Sequence, residues 1–177
     1  MVDEGYAAVS SRRIAQELNI NAATVHYYFP TTDDIFLALH QRMTERQIAE
    51  LEDVLRSKEP LVAFWQYQST WALAALGVEF LALCNHRKSL RDLLSRSAES
   101  ARESQVAALT QAIAGSARLP ESLDALALAT ILTAVGRLLV NEERVGIAKG
   151  HDAVRALVEK AIGKLLVQPC AKAATPG

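Results

Sequence analysis

Apolar residues recur along this chain at the three-to-four-residue spacing of a helix, and almost nowhere at the two-residue spacing of a strand. No Asn-Gly or Asp-Gly turn stands between apolar runs, so the usual sign of a hairpin is missing as well. The chain must bury its apolar surface by packing helices on helices, and the expected fold class is all-α. With 177 residues, 50% of them hydrophobic, there is enough material for such a core and too little polarity for general disorder.

Turn and cap residues divide this helical chain. Short helices fill the first thirty or so positions. Thr32 is a plausible N-cap for a long helix from Asp33 to Ser57, with Asp33 and Asp34 at the positive end of its dipole. A helix from Pro60 is expected to run to Leu76-Gly77, followed by a shorter piece from Val78 to Asn85. A charged amphipathic helix spans Lys88 to Ala114 and stops at Gly115-Ser116. Pro120-Glu121-Ser122 opens the next, which reaches Arg144, and His151 to Val167 forms the last. The expected organisation is a module at residues 1–38, a helical body at 39–167 and a flexible tail at 168–177.

Several function classes are disfavoured at once. The histidines at positions 26, 40, 86 and 151 form no HxxxH or HxH pair, and no metal site or other cofactor is expected. Neither a glycine-rich phosphate loop nor a GxSxG elbow is present, so an enzyme is not expected. Cys84 and Cys170 make no CxxC pair and suit a reducing cytosol. The start of the sequence lacks the basic and apolar regions of a signal peptide. Leu61–Cys84 is interrupted by Gln66, Gln68, Ser69, Thr70 and Glu79, and Leu123–Val140 holds Asp124 and Arg137. Both read as buried helices, so no membrane partner is expected and the location is cytoplasmic. A net charge of −1 gives no general attraction for nucleic acid; any such function must come from a local arrangement.

One such arrangement lies near the amino terminus. Ser10 is placed to cap a short helix, with Val9 and Ile14 at the positions of a hydrophobic staple. Asn19 suits a left-handed turn, Ile20 reads as a buried plug, and Asn21 can cap the next helix. In that helix, Ala22–Phe29, Val25 and Phe29 point one way. Ala23, Thr24, Tyr27 and, more laterally, His26 point the other. Small residues, hydroxyls and rings on a bare face are the chemistry of a helix that enters a major groove.

Gly5-Tyr6, Ser10-Ser11-Arg12-Arg13-Ile14-Ala15 and Asn21-Ala22-Ala23-Thr24-Val25-His26-Tyr27-Tyr28-Phe29-Pro30 together resemble the DNA-binding signature of the TetR family of bacterial transcriptional regulators. The resemblance implies a helix-turn-helix module, double-stranded operator DNA as partner, and a helical ligand-binding and dimerisation domain. By the same resemblance, Ser10, Ser11 and Arg12 lie beside the DNA backbone. Ala22, Ala23 and Thr24 meet the groove floor, and His26, Tyr27 and Tyr28 contact backbone or bases. Asn19 replaces the usual glycine, His26 and Tyr28 exchange their usual types, and Thr32 replaces a usual lysine. The family's first helix would precede Gly5, where only Met1–Glu4 stand. The expectation is a module with that helix truncated and with Ile14, Leu18, Val25 and Phe29 short of cover. Two such side chains left in water cost roughly 3–6 kcal/mol at ~1.5–3 kcal/mol each.

The body offers two further readings. The helix to Arg144 has a bulky stripe (Leu128, Ile131, Leu132, Val135, Leu138, Leu139) and a small-residue stripe (Ala125, Ala129, Thr133, Gly136). The last helix is also apolar over more than one side, so both need more than one packing partner. An intrachain core or a homodimeric four-helix interface satisfies that pattern, and the resemblance favours the homodimer. The aromatic middle, with Phe64, Gln68, Trp71, Phe80 and His86, reads either as ordinary core or as a small-molecule effector pocket. Arg137, alone in an apolar helix, is expected either to pair with Glu142 or Glu143 at the interface or to snorkel outward. The functional expectation is a ligand-responsive, DNA-binding repressor acting as a homodimer on a palindromic operator. The competing reading is a dimeric small-molecule-binding or protein-interaction module without DNA binding.

Overall fold

The computed structural model describes residues 1–114 and 124–166. Eight α-helices and one 3₁₀ turn occur among them, with no strand, as the helical period requires. The chain divides into two compact units, the first comprising residues 1–51 and 71–105, the second residues 52–70 and 106–177.

In the first unit, Gly5 takes a positive φ of 76° and leads into the 3₁₀ turn Tyr6–Ala8. Helix α1, Ser11–Leu18, is capped by Ser10, whose hydroxyl accepts from the Arg13 N–H at 3.2 Å. Asn19 then turns left-handed (φ 52°, ψ 45°), and its own N–H and that of Ile20 satisfy carbonyls at the end of α1. Helix α2, Ala22–Tyr28, begins at Asn21, whose side chain accepts from the Ala23 N–H at 2.8 Å. α1 packs on α2 through the buried Ala15 and Val25. Helix α3, Thr32–Leu55, follows. Its cap lies one residue before the expected Thr32. The Thr31 hydroxyl accepts from the Asp34 N–H at 3.2 Å, while the Asp34 carboxylate accepts from the Thr31 N–H and hydroxyl at 2.8 and 2.7 Å. This reciprocal pair is a capping box built with aspartate, and these hydrogen bonds hold the Asp34 carboxyl below its ordinary range. Ile35, Phe36, His40 and Met43 of α3, Phe80 and Leu83 of α5 (Ala74–His86), and Leu90 and Leu94 of α6 (Lys88–Ile113) form the buried interior of this unit.

The second unit is built around helix α4, Pro60–Thr70, and helices α7, Ala125–Arg144, and α8, His151–Leu166. α4 stops sooner than Gly77 suggested. The Ser69 and Thr70 hydroxyls donate to the Gln66 carbonyl at 3.2 and 2.7 Å, a local bond that competes with helix continuation, and the chain breaks at 71–73. Gly77 lies inside α5, where a glycine is merely tolerated. α7 is opened by Asp124, which accepts from the Ala127 N–H at 2.6 Å; Pro120-Glu121-Ser122, read as its start, lie outside the described residues. So do Gly115-Ser116, Val167 and the expected tail at 168–177.

The small-residue stripe of α7 is the seat of α4. A Cβ on Gly136 would stand 2.7 Å from the Gln68 carbonyl carbon and 2.9 Å from the Ser69 nitrogen, so only glycine permits this approach. Leu61, Phe64 and Trp65 of α4 and Leu128, Leu132 and Leu139 of α7 complete the buried set. α7 is long and apolar enough to cross a membrane by length and composition. In that stretch 33% of the residues are buried, and α4 packs against it.

Candidate nucleic-acid interface and effector-binding core

The caps at Ser10 and Asn21 and the turn at Asn19 fix how α2 is presented. Val25 is 4% exposed and anchors the helix against α1, while Tyr27 on the opposite face is 80% exposed. Ala22, Ala23, Thr24, His26 and Tyr28 are exposed with it, and the Tyr27 and Tyr28 rings meet edge to face with centroids 5.2 Å apart. Ser10 and Arg12 are exposed at the start of α1, and Ser11 is half-buried. All nine positions thus belong to one end of the first unit, and eight of them are open to solvent.

Local charge is sparse there. Arg13 is taken by Glu17 at 3.2 Å and Glu4 at 2.9 Å, and both carboxylates raise its already high pKa further. That pairing leaves Arg12 as the exposed cation of α1 with no carboxylate partner among the described residues. The apolar cover is partial, as the sequence suggests: Ile14 and Phe29 are half-buried, and Leu18 is 63% exposed. Val25 keeps its cover from α1. Ile20 corrects the expectation of a buried plug, being 44% exposed directly after the left-handed turn at Asn19. Met1, Ala8, Val9, Ile14 and Leu18, with Asp3, Glu4, Arg13 and Glu17 at its edge, line an open cavity of about 400 Å³.

The module is tied to α5 and α6 by contacts that no local pattern announces. The Tyr6 N–H donates to Glu79 at 3.0 Å, and the Tyr6 ring stacks on His86 at 5.7 Å. Arg87 reaches Asp33 at 2.5 Å and lies 5.4 Å over the Phe36 ring, while the Ser89 hydroxyl donates to Asp33 at 3.0 Å. His86, proposed from sequence as a polar handle for a ligand, is thus exposed and engaged with Tyr6.

The other candidates for ligand contact fall in two places. Phe64 and Gln68 are fully buried on α4 in the second unit. Trp71 and Phe80 are buried in the first unit, where the Phe80 ring meets His40 edge-on at 4.9 Å. Ser97 lies 3.3 Å from His40 Nδ1, and burial lowers the His40 pKa. At the α7–α8 corner Glu142 and Glu143 are engaged by His151, at 2.8 and 3.3 Å, and Arg155 reaches Glu143 at 2.6 Å. The hydrogen bond to Glu142 raises the His151 pKa, with Glu143 adding to it against the opposing effect of burial. The two ring nitrogens face different carboxylates, so these groups do not converge on one ion. No cluster of three or more metal-ligating side chains occurs among the described residues.

Residues 1–39 match the family model for bacterial regulatory proteins of the tetR family. No curated protein and no solved structure matches the chain. Residues 1–39, which hold the capped α1, the left-handed turn at Asn19 and α2, are thus similar to the DNA-binding module of that family.

Proposed function

We propose that this chain is a transcriptional regulator that acts as a homodimer on a near-palindromic operator and releases it when a small effector binds the helical body, which makes it a repressor working in the cytoplasm. Residues 1–38 form the DNA-binding part and 39–167 the regulatory and dimerising part. The observation that carries this reading is the division of α2 into an anchored Val25 side and a bare Thr24–Tyr27 side. Two copies would set their α2 helices into successive major grooves about 34–36 Å apart or a multiple of that spacing. Ser10, Ser11 and Arg12 would hold the register on phosphates, and Ala22, Ala23, Thr24, His26, Tyr27 and Tyr28 would read the groove.

The homodimer is supported by apolar side chains that face solvent on α7 and α8, among them Ile131, Leu138 and Leu157. An effector that prefers a conformation whose two modules no longer match the operator would empty it by differential affinity alone. The test is titration of operator DNA from the flanking intergenic region with the native protein and with Thr24→Ala and Tyr27→Ala. Losing a good base contact costs about 1–3 kcal/mol, so each variant is expected to bind roughly 5- to 150-fold more weakly. Native affinity and an unchanged footprint in both variants would remove α2 from the contact. The competing reading, a dimeric ligand-binding module without DNA binding, draws on the pairing of Arg13 with Glu4 and Glu17. Absence of operator binding by the native protein would favour it.

A further inference from the structure

Gln68 is fully buried on α4, and neither its side-chain nitrogen nor its side-chain oxygen has a hydrogen-bond partner among the described residues. Each buried polar atom left in this state costs about 1–3 kcal/mol, and native proteins hold few of them. Packing gives no reason to keep it, because Met or Leu would fill nearly the same space without that cost. Nor can α4 shift away easily, since its backbone at Gln68 is set against Gly136 of α7. The carboxamide is therefore a buried donor and acceptor that the described protein groups leave without a partner.

We propose that Gln68 is the recognition group of the effector site, and that it selects an uncharged, largely apolar molecule presenting a donor beside an acceptor, as the edge of an amide or lactam does. This rests on the effector-responsive reading above and names the ligand class for it. The surroundings argue for neutrality. α4 carries no charged residue from Pro60 to Thr70, and Leu61, Phe64 and Trp65 share the Gln68 side of the helix at helical spacing, all buried. Among the described buried residues of the same unit, Ser69 is committed to the Gln66 carbonyl and His151 to Glu142 and Glu143. A charged ligand would find no counter-charge on α4 itself, and burying it unpaired is prohibitive. A neutral amide edge satisfies both orphan atoms at once.

The experiment measures thermal unfolding of the full chain over concentration series of benzamide, methyl benzoate, toluene and benzoate. Benzamide offers both a donor and an acceptor, methyl benzoate an acceptor alone, toluene neither, and benzoate a charge. A ligand that binds the folded state raises the midpoint in proportion to its affinity. The expected result is apparent affinity for benzamide about tenfold above methyl benzoate and toluene, with benzoate weakest. In Gln68→Met the three neutral probes should converge, while the protein without probe remains at least as stable as native. Gln68→Leu serves if the methionine variant does not fold. An equal response to all probes in the native protein, or the same ranking in the variants, overturns the proposal. Operator binding is measured on the same preparations. Retained DNA binding without probe discrimination discards the ligand class alone, and the reverse result discards the regulator reading alone.

Discussion

Two glycines in apolar helices show how differently the same residue can be constrained. Gly136 on α7 faces the α4 backbone so closely that one added carbon meets the Gln68 carbonyl at under 3 Å. Backbone on both sides cannot give way as a flexible side chain would. Gly136→Ala is therefore expected to lower stability by about 1–3 kcal/mol through overpacking. Gly77 on α5 has nothing within 4 Å of the corresponding position. Gly77→Ala should raise stability by roughly 0.5–1 kcal/mol, since alanine loses less freedom in a helix. Urea denaturation of the two variants beside the native chain checks both signs, and equal effects would refute the close approach. The sequence marks Gly136 as part of a small-residue stripe. It does not say whether α4 or a second copy occupies that stripe, because spacing reports a face and never its partner.

Helix boundaries set by neighbouring residues are the legible part of this fold. Ser10, Asn19 and Asn21 cap and turn as their side chains dictate, since each bond closes within three or four residues. The cap of α3 falls at Thr31 because adjacent threonines offer the same hydroxyl, and Asp34 chooses between them. The end of α4 is misread because Gly77 looks like a stop, whereas the hydroxyls of Ser69 and Thr70 do the work. Long-range pairs are beyond periodicity altogether: Tyr6 with Glu79, Asp33 with Arg87 and His40 with Ser97 lie 73, 54 and 57 residues apart. That is why His86, grouped by sequence with the central aromatics, turns out to stack on Tyr6. For the candidate site, the bare face of α2 was legible from helical phase, but the lack of partners at Gln68 was not. The exposed stripes of α7 and α8 yield their own prediction at this scale. The native protein should sediment as a dimer, and Leu138→Glu combined with Leu157→Glu should shift it to monomer, since burying unpaired carboxylates at an interface is costly. A native monomer, or a dimer unaffected by both charges, would assign those faces elsewhere.

For the whole molecule, two buried histidines make stability depend on pH in opposite directions. Burial lowers the pKa of His40 below its ordinary 6.5, with Ser97 and the Phe80 ring as its neighbours. The unfolded chain then binds a proton that the folded interior resists, so the folded state loses stability as pH falls below about 6.5 and through the folded pKa. His151 behaves in the reverse sense. Its hydrogen bond to Glu142, supported by Glu143, raises its pKa above 6.5. Its contribution is complete below about 6.5 and disappears as pH rises through the folded value. The native chain should therefore be most stable near pH 6.5, where neither loss has set in. Chemical denaturation over about pH 5 to 8 is the measurement, and two variants separate the contributions. His40→Gln should flatten the acid side and leave the alkaline side as it was. His151→Gln should lower stability below neutrality and flatten the alkaline side. An acid side unchanged by His40→Gln would mean that folding does not lower the His40 pKa, burial being offset by a favourable charge. That result would require a negative partner where the structure places Ser97 and an aromatic ring.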